Sequence, residues 1–269
     1  GRVPGRNGAS AAAYSRQRNI FKWTMLLPTI LTLAALTVYP FLYMLWTSLH
    51  SWNLTKPQYG YKFVALQNFA KAFTDSRFLG SILTSLMFVA LAVSLELLLG
   101  LALALLLNRT RWYVSPLRLA LLLPMMFTPI VVVLIFLMML NGTHGVANFF
   151  LEMLGFQKQG FLADPRTALP SVVAADVWQW TPFVMLIFMA GLASLSDEVI
   201  EAARTDCVSW FQELWYVILP LLKPVILVAL LIRTIDAFRL FDLVYVMTKG
   251  GPGTATETLT MYIYVQGFD

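Results

Sequence analysis

Glu201-Ala-Ala-Arg-Thr-Asp-Cys-Val-Ser-Trp-Phe-Gln-Glu-Leu-Trp-Tyr-Val-Ile-Leu-Pro220 is a polar, helix-prone stretch set between two apolar runs, Ser171–Leu192 and Val225–Met247. Just before it, Ser196 stands where an N-cap belongs, and Asp197 and Glu198 fall in the first turn, where the helix dipole favours anions. A short helix is therefore expected over Leu195–Ala203, then a break near Asp206–Ser209, then a second helix to Leu219 limited by Pro220 and Pro224. Two short helices at an angle make a compact knob beside the membrane. A bundle that lives in lipid does not need such an insert to stay folded, so its expected use is contact with a soluble partner.

The rest of the chain agrees with a membrane setting. Of 269 residues, 59% are hydrophobic and only 12% charged, and the mean hydropathy is +0.72, too little charge to clothe a soluble domain of this size. Five apolar runs each reach the length of about 20 residues that a helix needs to cross a bilayer. They are Thr24–Ser48, Leu79–Leu107, Leu119–Leu140, Ser171–Leu192 and Val225–Met247, and they lack the alternation of barrel strands. Pro124 and Pro129 read as kinks in the third. The expected fold is an all-α polytopic membrane helix bundle, with residues 1–22 a mobile cytoplasmic tail and 23–269 the transmembrane domain. Arg2, Arg6, Arg16, Arg18 and Lys22 in the tail, and Arg109, Arg111 and Arg118 in the loop 108–118, place the N-terminus inside by the positive-inside rule. That rule also explains the formal charge of +5 without nucleic acid. It puts the coupling segment 196–220 in the cytoplasm and 248–258 outside. The loop 51–78 reads as a turn from Asn53 to Gly60 and an amphipathic stretch from Leu66 to Phe78, with Trp46, Trp52, Tyr59 and Tyr61 in an aromatic belt. Cys207 is the single cysteine and excludes an internal disulfide.

The Glu-Ala-Ala, followed in register by Asp206, Ser209, Gln212 and Leu219-Pro220, resembles the coupling segment of ABC importer permeases, in particular the family of the maltose importer's larger permease subunit. A second stretch, Phe241-Asp-Leu-Val-Tyr-Val-Met-Thr-Lys-Gly-Gly-Pro-Gly253 and Thr258–Phe268, resembles the Phe-Asp-x-x-Tyr-x-x-Thr-x-Gly-Gly-Pro and Tyr-x-Tyr-x-x-x-Phe signatures of the same sugar permeases. Read from residues alone, Gly250–Gly253 is a tight turn. The resemblance implies that Glu201, Ala202, Ala203, Asp206, Cys207, Ser209, Leu219 and Pro220 couple the chain to an ATPase. It implies a sixth span beyond Asp269. It further implies a second permease (a hetero-dimer), an ATPase dimer that holds ATP and Mg²⁺, and an extracytoplasmic solute-binding protein, all at a bacterial inner membrane. The family has Gly at the position of Cys207, where a positive φ suits glycine. Cys207→Gly is expected to leave solute uptake intact.

Charges within the spans carry the remaining signal, because each costs on the order of 2.5–3.5 kcal/mol if it faces lipid at a helix centre. Asp176, Gln179, Trp180 and Phe183 share one face of the fourth span, and Arg233, Asp236, Ala237 and Leu240 the corresponding face of the fifth. In the resembling permease the aligned positions line the sugar site, and aromatic faces with amide, carboxylate and guanidinium groups suit a saccharide. Two readings of the charges stand side by side: pairing along the helix, Arg233 with Asp236 or Asp236 with Arg239, and a polar lining for a solute. Arg233 points to an anionic sugar such as a uronate oligosaccharide or a sugar phosphate. Glu96 in the second span is expected to serve as an interhelical hydrogen-bond partner. The sequence has no phosphate-binding Gly-x4-Gly-Lys loop, and His50 and His144 lack metal-site spacing, so neither ATP hydrolysis nor other catalysis is expected of this chain. The competing class is an ion-coupled secondary transporter using Asp176 and Asp236, which has no use for 196–220.

Overall fold

The computed structural model describes residues 7–51, 60–108, 114–205 and 209–268. Asp206, Cys207, Trp52, Tyr59, Arg2, Arg6, Arg109, Arg111 and the turn from Asn53 up to Gly60 lie outside the described residues. The described chain is helical but for one two-stranded ribbon, and it divides into two compact units, 1–74 and 75–269.

In the first unit, α1 (Asn7–Ser48) begins inside the polar N-terminal stretch and shows no break at position 22. Its hydroxyls fold back on their own helix, Thr24 to the Ile20 carbonyl and Thr32 to that of Pro28, which satisfies them without water. Asn68, on α2 (Gln67–Thr74), closes α1 by donating to the carbonyls of Ser48 (2.9 Å) and His50 (3.0 Å). Strand β1 (His50–Ser51) pairs antiparallel with β2 (Lys62–Phe63), and Trp46, His50 and Tyr61 pack their rings together beside it. The amphipathic stretch expected over Leu66–Phe78 is thus two elements, since Asp75 caps a new helix by accepting from the Arg77 N–H.

The second unit is built on two helices, α3 (Ser76–Leu107) and α7 (Pro165–Ala193). Along α3 the buried positions Ser81, Ser85, Ala92, Gly100 and Ala104 are small and recur at helical spacing. In lipid there is no hydrophobic gain from helix association, so small residues that let backbones approach are the favoured seam. At Gly100 the approach is closest: a Cβ there would stand 2.7 Å from Val184 Cγ1.

The third apolar run is not one straight helix. It consists of α4 (Val114–Met126) and α5 (Pro129–Met139), bent by 97°. Thr128 and Pro129 are the N-cap and N1 of α5, so Pro129 starts a new helix where the sequence had suggested a kink, while Pro124 lies within α4. A short α6 (Val146–Met153) follows, held by buried Asn148, which donates to the Asn141, Gly142 and Gln159 carbonyls and accepts from Gln159 N–H.

The segment after α7 also departs from expectation. The helix α8 (Asp197–Thr205) follows Ser196, whose Oγ accepts from Val199 N–H at 3.3 Å. Then α9 (Trp210–Gln212), one π-helical stretch at Glu213–Ile218 and α10 (Leu219–Phe238) form an unbroken 29-residue helix. Pro220 and Pro224 do not limit it. Wide i→i+5 bonding just ahead, with Leu219 N–H on the Leu214 carbonyl, places Pro220 where α-helical bonding restarts, and there its missing N–H leaves no gap.

The last run ends at Phe238 rather than Met247. After a break at Arg239–Phe241 come α11 (Asp242–Met247) and, beyond the glycine turn, α12 (Leu259–Phe268). The turn is tight as expected, with Gly250 and Gly253 at φ +83° and +63° and Thr256 donating to Gly251 O. Arg77 forks onto buried Glu257, and Tyr262 donates to Asp75 at 2.7 Å, tying the turn to the start of α3. That hydroxyl, with the Arg77 N–H, holds the Asp75 carboxyl below the usual carboxylate range. Four described helices are long and apolar enough to cross a membrane, five if the bent α4–α5 pair is one span.

Candidate functional site

Three helices bring their charges to one point. Arg233 of α10 donates through Nε and Nη2 to Glu96 of α3 at 2.5 and 2.7 Å, and through Nη2 to Asp176 of α7 at 2.9 Å. All three are within 2% of complete burial. Pairing along α10 is present but long, with Arg233 Nη1 4.0 Å from Asp236, while the short bonds go to Glu96 and Asp176 on the other helices. The planar fork of guanidinium matches a carboxylate in two parallel bonds, and Glu96 accepts it in that way. Arg233 also lies over the Trp180 ring, 5.0 Å from its centroid, and Phe183 meets that ring edge-on. Glu96 holds the interhelical position expected of it.

Asp176 and Arg233 of this triad face a cavity of about 270 Å³, which Glu96 does not line. Asp176, Gln179, Trp180, Arg233, Asp236 and Leu240 line it. Phe183 and Ala237 do not: Phe183 backs Trp180, and Ala237 is buried in the apolar core with Val132, Phe136 and Val244. Pro129, Arg239, Phe241, Asp242 and Leu243 complete the lining, and sequence periodicity did not select them. They come from the two places where helices break, α4/α5 and α10/α11, and a period of 3.6 residues says nothing about side chains beyond a break. The available signal was Thr128-Pro129, an N-cap followed by an N1 proline.

The α4/α5 break is stapled to this wall. Gln179 Nε2 donates to the Phe127 carbonyl at 3.1 Å, supplying a partner to backbone freed by the bend. The same amide's Oε1 is buried and has no hydrogen-bond partner among the described residues.

The residues expected to couple the chain to an ATPase sit elsewhere. Glu201 and Ala202 are exposed on α8, Ala203 half-buried, and Thr205 folds back on the Glu201 carbonyl. Ser209 opens the next helix with a reciprocal cap, its Oγ accepting from Gln212 N–H while Gln212 Oε1 accepts from Ser209 N–H. Leu219 and Pro220 lie at the start of α10. Leu195, Ile200 and Leu214 pack into a cluster with Leu192, Ile218 and Leu222, so α8 rests on the end of α7 and the base of α10.

Residues 96–267 match the family of binding-protein-dependent transport system inner membrane components. The chain is similar to the trehalose/maltose transport system permease protein MalF of Thermococcus litoralis, 36% identical over 242 residues, covering 90% of this chain and 81% of the relative. It is similar, at 36% identity over 235 residues, to the trehalose transport system permease protein SugA of Mycobacterium tuberculosis, covering 87% of this chain and 75% of the relative. The sulfoquinovosyl glycerol transport system permease protein SmoG of Agrobacterium fabrum matches at 35% identity over 240 residues, 89% of this chain and 78% of the relative. Among solved structures, a chain of a bacterial alginate ABC transporter, in complex with alginate pentasaccharide-bound periplasmic protein, superposes with a TM-score of 0.79 at 22% identity, covering 94% of this chain and 85% of that one. That last likeness is one of fold.

Proposed function

The chain belongs to the binding-protein-dependent transport system inner membrane components, and on that premise we propose that it forms, with a second permease, the path for an oligosaccharide delivered by an extracytoplasmic binding protein. It is a transport subunit and not an enzyme. ATP and Mg²⁺ are bound by a dimer of partner ATPases, which dock on α8 and the residues that follow it. The N-terminus lies in the cytoplasm, and the solute passes the cavity faced by Asp176, Gln179, Trp180 and Arg233.

The saccharide reading is supported by relatives named for trehalose, maltose and sulfoquinovosyl glycerol. The observation that carries the site is the polar cavity itself, set within apolar helices at the meeting of two helix breaks. Charged groups held there at the cost of desolvation need a reason beyond stability, and a hydrophilic solute is one. Broken helices are tolerated at membrane depth where they line such a cavity.

Transmission follows from packing. When ATP closes the ATPases, the displaced α8 pulls through Ile200 and Leu195 on the shared cluster at the ends of α7 and α10. These are the two helices that carry Gln179 and Arg233, so their movement opens and closes the cavity by alternating access. Glu201→Arg, on an exposed position, should leave the bundle's thermal stability unchanged. In the reconstituted complex it should cut binding-protein-stimulated ATP hydrolysis by about tenfold, within the usual range of coupling energies. Full stimulation in that variant would remove α8 from the coupling path. Unchanged solute uptake would support ion coupling instead.

A further inference from the structure

We propose that a groove between α3, α4 and α7 holds one acyl chain of an anionic phospholipid, with the lipid phosphate on Arg118. The site is separate from the solute path. It rests on the cytoplasmic placement of the N-terminus, which puts Arg118 at the inner leaflet.

The groove has a volume of about 660 Å³ and a lining that is almost wholly apolar. Its wall on α3 is Leu91, Leu95, Leu99 and Leu103, spaced four apart, so the row runs along the helix. Twelve residues at 1.5 Å each make it about 18 Å long, close to the hydrocarbon depth of one leaflet, about 15 Å. Leu121 of α4 and Trp178 of α7 also line it. These walls are within reach of a ligand: Leu91, Leu95 and Leu99 are 43–47% exposed and Trp178 38%.

Two observations choose a lipid over a helix of the second permease. Helices associate in lipid where small residues let backbones approach, and α3 places such residues, Ala92, Gly100 and Ala104, on its buried seam. The groove side carries leucines, which gain nothing by exchanging lipid tails for another helix. The second observation is charge. Arg118 precedes Leu121 by three residues on α4, one turn nearer the start of that helix and on the same face. Helical side chains lean toward the N-terminus, so the guanidinium is carried from the end of the groove to the membrane surface. That is the level of a phosphate whose acyl chain lies in the groove. Arg118 is exposed and has no ion-pair partner among the described residues. With Ser115, which adds a hydroxyl, it lines a recess of about 450 Å³. The stretch 108–118 holds three arginines and no acid, so it is an anionic headgroup that this end attracts.

The test uses the full complex in phosphatidylcholine nanodiscs that carry a trace of photoactivatable lipid. The reactive group sits midway along one acyl chain, and the headgroup is either phosphatidylglycerol or phosphatidylcholine. Adducts on this chain are mapped by mass spectrometry after illumination. The phosphatidylglycerol probe should label Leu95, Leu99 and Trp178 about fivefold more than the phosphatidylcholine probe, the gain expected from one cation near the surface. Arg118→Gln should abolish that preference and Arg118→Lys keep it, while Leu99→Trp, which fills the groove, should reduce labelling by both probes. Equal labelling by the two headgroups would reduce the groove to ordinary boundary surface and overturn the inference. Absence of labelling by either probe overturns it as well, and a crosslink from Leu99→Cys to the second permease would then identify a helix as the occupant. The orientation is read separately, by labelling Arg118→Cys in a Cys207→Gly chain with a membrane-impermeant maleimide, in cells and in inverted vesicles. Reaction in the inverted vesicles alone is expected. Reaction in cells overturns the cytoplasmic N-terminus and the inner-leaflet assignment, whatever the headgroup preference.

Discussion

Arg233→Ala is expected to stop the chain from accumulating as a folded bundle, rather than merely altering which solute it carries. The substitution leaves Glu96 and Asp176 facing each other across α3 and α7 with no counter-charge and no donor, both essentially out of contact with solvent. Breaking a buried pair from one side costs about 3–5 kcal/mol, a large share of a marginal stability. In lipid the carboxylates cannot relax toward water, so they must take up protons or separate the helices. The measurement is thermal unfolding of the detergent-solubilised complex, together with the amount of chain recovered from the membrane. A triple variant, Glu96→Gln, Asp176→Asn and Arg233→Met, removes all three charges at once and is expected to recover most of the lost stability, since replacing a whole buried ionic set is often neutral. A normally stable Arg233→Ala protein with altered solute preference would show that the guanidinium serves the solute and not the bundle.

That expectation reverses the one the sequence supports, and the reversal shows where periodicity stops being informative. Helical spacing placed Asp176, Gln179 and Trp180 on one face of α7, and Arg233 and Asp236 on one face of α10, because each lies within a continuous helix, whereas Leu240 reaches the same cavity from the break beyond Phe238. It offered Asp236 as a partner for Arg233 or for Arg239, because a single helix knows only its own neighbours at i+3 and i+4, and the first of these pairs exists as a 4.0 Å contact. The partners that hold the short bonds of Arg233 are 137 and 57 residues away in the chain, and only the crossing of three helices brings them together. Glu96 was legible as a polar residue in need of an interhelical bond, but not as the group to which Arg233 is bound. The same limit explains the lost ends of the spans. Apolar content runs on through Phe127–Thr128 and through Arg239–Phe241, where the backbone turns, and it falls off in 210–218, where the helix continues through a widened turn into Pro220. Hydropathy reports the surroundings of a residue, while the direction of the chain depends on caps, prolines and hydrogen-bond registers.

Gly100→Leu is expected to prevent α3 and α7 from closing on each other. A Cβ at this position would lie 2.7 Å from Val184 Cγ1, 3.0 Å from Val184 Cβ and 3.1 Å from the Met185 backbone nitrogen. The first of these contacts could be eased by a side-chain rotation, but the last is with backbone, and Val184 and Met185 are themselves fully buried. Overpacking a tight core typically costs about 1–3 kcal/mol and can cost more, and a leucine adds four carbons where one already does not fit. The consequence extends beyond stability, because Glu96 lies one turn away on the same face of α3 and must keep its bonds to Arg233 at 2.5 and 2.7 Å. Pushing the helices apart at Gly100 stretches that fork and opens the wall of the cavity. Gly80, near the start of the same helix, has nothing within 4 Å of a built Cβ, so Gly80→Ala should be neutral or slightly stabilising. The comparison is made by thermal unfolding of the two single variants, with Gly100→Ala paired to Val184→Ala as a partial rescue. A Gly100→Leu protein as stable as Gly80→Ala would mean that α3 and α7 do not meet at this seam, and the three-helix junction at Arg233 would fall with it.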